Sequence, residues 1–140
     1  ASSSASAYAD KKPWFGYYWG PTVVMGNYDM TRVKLGDYDK AKFDNLQNKD
    51  TKNPQVSDFP AATVLTSVTT QFAKDHPAET EFFSKMSFKT DTMSQLLAWQ
   101  DKNKASAEQT AVHFIQAYPD TWKNWLSADA QKKLSKLIGG

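Results

Sequence analysis

Five aromatic residues fall between Trp14 and Trp19 in the run Pro13-Trp14-Phe15-Gly16-Tyr17-Tyr18-Trp19-Gly20-Pro21, which closes on a Gly-Pro break. Buried, such a run packs a core. Exposed at a strand end, it makes a wall for a cation, because a quaternary ammonium ion has no N–H to donate and is held by Coulomb attraction and by the negative faces of aromatic rings. In an extended strand Phe15, Tyr17 and Trp19 share one side, and Trp14, Gly16 and Tyr18 the other. Trp19 stands last before the Gly20-Pro21 turn, where the carboxyl end of a strand meets a helix start, the usual ligand crevice of α/β sheets. A helix beginning at Pro21 adds backbone N–H groups and the positive end of a dipole. A zwitterion carrying a quaternary amine and a carboxylate can use both features.

Other chemistry finds little to stand on. His76 and His113 lie far apart with no HExxH spacing, and the chain has no Cys, so no metal site is expected; His76 reads as a helix end before Pro77 and His113 as a helix flank. No GxSxG elbow supplies a nucleophile, and no P-loop or GxGxxG cradles a phosphate. Asp29, Asp37 and Asp39 are close in sequence, but they sit beside the Gly26-Asn27 and Gly36 turns and read as turn and surface residues. The chain is therefore not expected to be an enzyme or to carry a cofactor.

The elements that must position the aromatic run belong to a chain of 140 residues, the length of one ordinary domain. A hydrophobic content of 40%, charged residues at 23% and a net charge of +2, with lysines dispersed among acids, do not describe a nucleic-acid binder. No apolar run approaches the ~20 residues that span a bilayer. The chain begins Ala1-Ser2-Ser3-Ser4 with neither a Met nor the charged and apolar regions of a signal peptide, so any native leader is expected to be missing from it.

Strand-like segments come first and helices follow. Trp14 to Trp19 suits a pleated surface, and Val23, Val24 and Met25 lead to a helix stop at Gly26-Asn27. Thr31 to Leu35 alternates as a short strand closed by Gly36-Asp37. From Tyr38 to Pro60 the composition is polar and predicts a long loop, with a helical turn around Ala41 to Asn45. The β-branched run Ala62 to Val68 predicts a buried strand, after which Thr69 or Thr70 caps a helix ending at His76-Pro77.

Helices are then predicted over Ala78 to Met86, burying Phe82, Phe83 and Met86, and over Thr92 to Lys102, with Met93, Leu96 and Leu97 on one face. In Ser106 to Tyr118, Ala107, Ala111, Phe114, Ile115 and Tyr118 recur at helical spacing behind a capping box of Ser106 and Gln109. Pro119 stops that helix. Asp120 is placed to cap a short one holding Trp122, Trp125 and Leu126, and Ser127 to cap a last one with the stripe Leu134, Leu137 and Ile138. Trp99, Trp122 and Trp125 are read as packing, as aromatic helix stripes usually are. The predicted class is α/β, few strands followed by several helices.

The segments Trp14-Phe15-Gly16-Tyr17-Tyr18-Trp19-Gly20-Pro21-Thr22 and Gly26-Asn27-Tyr28-Asp29-Met30 resemble a region of the glycine betaine/proline/choline substrate-binding proteins of ABC importers. The likeness continues through Phe59-Pro60-Ala61-Ala62, Phe72-Ala73, Pro77, Phe82 to Met86, Leu97-Ala98-Trp99-Gln100 and Trp122 to Leu126. It covers nearly the whole chain, and the order of the segments is more specific than any one of them.

The resemblance implies an extracytoplasmic or periplasmic receptor of the type II periplasmic-binding-protein fold, whose two α/β lobes close on a quaternary amine and deliver it to a membrane permease. It implies a cage Trp at Trp19, with Tyr18, Trp14 and Gly20 as neighbours in the motif. Family chains are longer, so this one is expected to be their C-terminal part. On that reading residues 1–60 end the second lobe, residues 61–140 return to the first, and together they form one fragment. A single wall implies weak or absent binding of glycine betaine or choline by the chain alone. The alternatives are a stand-alone binding module, with a ligand such as a sugar ring, and an interaction protein forming a homodimer through old lobe contacts.

Overall fold

Short side chains that bond to backbone N–H groups begin several of this chain's helices. In a computed structural model, which describes residues 3–138, the regular structure is entirely helical. The helices are α1 (Ser3–Ala9), α2 (Val23–Asn27), α3 (Lys40–Gln47), α4 (Thr70–Asp75), α5 (Pro77–Lys85), α6 (Thr90–Asn103), α7 (Ala107–Ala117), α8 (Pro119–Trp122) and α9 (Ala128–Ile138), with a 3-10 turn over Lys123–Trp125. Among the described residues no helix is long and apolar enough to cross a membrane.

The α/β expectation, with its few strands and two-lobed sheet architecture, is therefore corrected: the described residues contain no β-strand. The three segments predicted as strands, Trp14 to Trp19, Thr31 to Leu35 and Ala62 to Val68, are irregular. The physical reason lies in what strand propensity measures. β-branched and aromatic residues favour a pleated, half-buried surface supplied by neighbouring strands, and a segment without a ladder partner gains nothing from being extended. The run read as a buried strand is instead exposed, with Val64 at 86% of its full surface.

Two units divide the chain. The smaller spans Thr31–Thr66. In it Asp39 caps α3 by accepting from the Lys42 N–H at 3.0 Å, and the Arg32 guanidinium pairs with Asp58 at 2.7 Å. The buried Ser57 hydroxyl accepts from the Asp39 N–H at 3.0 Å, while Phe43 lies edge-on to both Tyr38 and Phe59. The helical turn expected around Ala41 to Asn45 is thus a two-turn helix, begun by its Asp cap.

The larger unit joins the residues up to Met30 with those from Ser67 onward. Its core is Leu96, Phe114, Trp122 and Trp125, against which Phe82, Met86, Phe88, Ile115, Tyr118 and Leu134 pack. Phe114 and Trp125 stack at 5.6 Å, and the Trp122 indole N–H donates to the Ile115 carbonyl at 2.7 Å, which satisfies the one polar atom of a side chain only 3% exposed. Thr69 caps α4, and Ser127 caps α9 by accepting from the Ala130 N–H. The capping box forms in full, Ser106 accepting from the Gln109 N–H at 3.2 Å and Gln109 accepting from the Ser106 N–H at 2.8 Å.

Several details of the helical reading change: the small-residue lead forms α1, and Phe82, Phe83 and Met86 are half-buried rather than buried. On α7 Ala107 and Ala111 are exposed, and the residue buried beside Phe114 is Thr110, whose hydroxyl donates to the Ser106 carbonyl at 2.7 Å. Asp120 does not cap α8. Pro119 takes the first helical position, where its missing N–H costs nothing, and Tyr118 precedes it as cap. The side chains of Leu137 and Ile138 lie outside those described.

Candidate functional site

The aromatic run crosses the larger unit as irregular chain between α1 and α2. Without a strand, alternation fails. Tyr18 and Trp19, neighbours in sequence, lie on the same side with rings stacked at 5.2 Å and 12°. The Tyr17 ring lies 6.1 Å from Trp19, tilted by 37°. Trp19 keeps 61% of its surface exposed, Tyr17 the same, and Tyr18 is half-buried. The result is an open aromatic ledge of three rings.

Trp14 is placed differently. Its indole N–H donates to the Ser3 hydroxyl at 3.2 Å, and its six-membered ring lies over Gly16, where an added Cβ would stand 2.5 Å from the ring. This half-buried ring is turned back toward α1. Of the four residues singled out from sequence, the fold stacks Tyr18 and Trp19 together, places Gly20 next to them and ties Trp14 elsewhere.

What fixes the ledge is α2 and its seat on α6. Thr22 is the N-cap: its hydroxyl accepts from the Met25 N–H at 3.3 Å and lies 3.5 Å from the Trp19 carbonyl. Its own N–H donates to the Ser94 hydroxyl at 3.3 Å. Gly20 passes so close to α6 that a Cβ would meet Thr90 Cγ2 at 2.8 Å. Four positions past the cap, Gly26 lies against the Ser94 carbonyl and the Ala98 methyl, an approach only a residue without a side chain permits. The helix expected to begin at Pro21 begins at Val23, because Thr22 supplies the cap oxygen that Pro21 cannot.

Sequence reasoning missed Thr22 and Ser94, and put Tyr17 on the Trp19 side without giving it a role. A Thr directly before an apolar helical run is a cap signal and was available. Ser94 carried none, since its partner is 72 positions away.

The remaining aromatics on helices are structural. Trp122 and Trp125 are buried, and Trp99 stacks flat on His113 at 3.7 Å and 4°. His76 stacks on Phe72 at 4.7 Å. The resolved pKa shifts, at Lys40, Glu81 and Glu108, all come from surface partners two to four positions away in sequence. Among the described residues no group of three or more His, Cys, Asp or Glu is gathered to hold a metal. Chemically the ledge offers ring faces.

A family model described as the substrate binding domain of ABC-type glycine betaine transport systems matches residues 1–117. No curated protein matches the chain.

Proposed function

The chain belongs to the family of substrate-binding domains of ABC-type glycine betaine transport systems, and from that premise we propose that the Tyr18–Trp19 pair is a wall for the quaternary ammonium group of glycine betaine or a related amine such as choline. The observation that supports the reading is the stacked pair itself, exposed at Trp19 and half-buried at Tyr18, held by the Thr22 cap at the start of α2. Ring faces attract a cation without needing an N–H from it. Gly20 keeps the approach free of side chain, and Trp14 serves the wall by shaping the run ahead of it. On this proposal the partners are a quaternary amine and the membrane permease of the importer, on the extracytoplasmic side.

One ledge is one wall. A Trp face contributes about 0.5 to 2 kcal/mol to holding a cation, against about 8 kcal/mol for a micromolar site. The chain alone is therefore proposed to hold betaine or choline weakly, with full affinity requiring aromatic walls from elsewhere, a second copy included. Titration of the chain with glycine betaine, followed by tryptophan fluorescence and by calorimetry, tests this: a weak response lost in Trp19→Leu is expected. Micromolar affinity in a monomer, or a response that survives Trp19→Leu, would sink the reading.

A further inference from the structure

The angles between the three rings of the ledge give them different work. Tyr18 lies nearly parallel to Trp19, at 5.2 Å and 12°, so each ring covers part of one face of the other and no room is left between them for an ion. Tyr18 is also half-buried. Tyr17 stands otherwise: its ring is inclined by 37° to that of Trp19 with the centroids 6.1 Å apart, and both side chains keep 61% of their surface in solvent. The face of an aromatic ring attracts a cation out to about 6 Å from its centroid. One ion resting on Trp19 on the Tyr17 side therefore lies within reach of both rings.

The backbone holds this pair of rings from both ends. Ahead of it the Trp14 ring lies over Gly16, so close that a Cβ there would stand 2.5 Å away, and this packing sets the chain one residue before Tyr17. Behind it the Thr22 hydroxyl, 3.5 Å from the Trp19 carbonyl, also caps α2. Exposed rings gain from such bracing, because less freedom remains to be lost when a ligand settles on them.

We infer, on the reading of the ledge as a wall for quaternary amines, that Tyr17 is the second ring to touch the ammonium group, and that Tyr18 is a positioning residue that backs Trp19 without touching the ligand. The ion sits in the angle between the Tyr17 and Trp19 rings, two positions apart along the chain. What the two rings recognise is the methylated ammonium head that glycine betaine, choline and tetramethylammonium share. A quaternary ammonium has no N–H for the Tyr17 hydroxyl to accept, so Tyr17 acts through its ring face.

The experiment is an NMR titration of the full chain with tetramethylammonium. Intermolecular NOEs are expected from its methyl protons to the ring protons of Tyr17 and Trp19, and none to those of Tyr18. Tyr17→Leu should weaken binding about two- to fivefold, the share of one exposed ring face. Tyr17→Phe, which keeps the ring, should bind as the unmutated chain does, and it keeps the test readable should Tyr17→Leu disturb the fold. Tyr18→Leu should move the Trp19 indole resonance before any ligand is added, and Tyr18→Phe should restore both that resonance and the affinity. NOEs to Tyr18 in place of Tyr17, or Tyr17→Leu binding as tightly as the unmutated chain while Trp19→Leu still abolishes the response, would overturn this inference and leave the wall reading standing. Tetramethylammonium that moves no ledge resonance, or a response that survives Trp19→Leu, would overturn both.

Discussion

The Thr22 N–H donates to the Ser94 hydroxyl at 3.3 Å across 72 positions of sequence, and through this bond the α2 cap is anchored on α6. The same Thr22 lies beside the Trp19 carbonyl and closes the first turn of α2, so one residue links the exposed ledge, a five-residue helix and the 14-residue helix beneath it. A five-residue helix is far too short to persist alone. Its stability is tertiary, borrowed from α6.

Ser94→Ala is therefore expected to destabilise the larger unit by about 1 to 2 kcal/mol, since it leaves a half-buried N–H without its acceptor. Ser94 itself is only 3% exposed, so water does not readily replace the hydroxyl. Urea denaturation measures the cost, and an unchanged midpoint would show that the bond contributes nothing. The Trp19 resonance should broaden or shift in the same variant, because its carbonyl neighbour Thr22 loses its anchor.

Gly26→Ala should be more damaging. The new Cβ would run into the Ser94 carbonyl and the Ala98 methyl, and the first of these is backbone that cannot rotate away. Overpacking of this kind costs about 1 to 3 kcal/mol, and here it forces α2 off α6. Gly36→Ala provides the contrast: nothing lies near its Cβ, and its cost comes from a positive φ of 94° alone. Thermal unfolding of the pair separates crowding from backbone strain.

The helical half was largely legible because its signals are local. Thr69, Ser106, Gln109 and Ser127 each satisfy an N–H group three residues away, and the apolar spacing of Phe114, Ile115 and Tyr118 needs no knowledge of partners. The strand reading of Ala62 to Val68 failed because β-branching becomes structure only beside another strand, and sequence does not say whether one is there. The site was half legible. The aromatic run announced itself, but which rings meet depended on a stack between adjacent Tyr18 and Trp19 that strand alternation excluded.

Trp19 and Trp14 should separate function from stability. Trp19→Leu removes a ring that is mostly in solvent and is expected to change stability by less than about 1 kcal/mol while abolishing any response to quaternary amines. Trp14→Leu breaks the bond to Ser3 and empties the space over Gly16, and should cost about 1 to 2 kcal/mol. Paired denaturation and fluorescence titrations decide it; the reverse ordering would place the binding ring at Trp14.

At the start of α7 a carboxylate should make helix stability depend on acid. The Ser106 hydroxyl donates to Glu108 at 2.7 Å, and this bond, helped by the Glu108 backbone N–H, holds the carboxyl below its usual 4.5. A depressed folded value means the stabilisation is fully present above 4.5 and is lost as pH falls through the lower, folded one. Glu81, lowered by its bond to Lys85, fades in the same direction on α5. Amide exchange at Gln109 and Thr110 should therefore quicken below that range and stay flat around neutrality. In Glu108→Gln the acid-dependent part should disappear.

Val64 and Leu65 test the largest departure from the strand reading. A buried strand residue cut back to Ala costs about 2 to 5 kcal/mol for Leu, through lost burial and the cavity left behind. At 86% and 76% exposure these side chains have almost no burial to lose. Val64→Ala and Leu65→Ala are therefore expected to shift stability by less than about 0.5 kcal/mol each. The uncharged run Ala61 to Thr66, exposed and rich in β-branched residues, has the composition that pairs edge to edge with other chains. Leu65→Lys should accordingly leave the fold intact and reduce self-association in light scattering at high concentration, because a charge in such a run blocks strand pairing. A stability loss of several kcal/mol in Leu65→Ala would mean that the segment is buried after all, and the strand assignment would return with it.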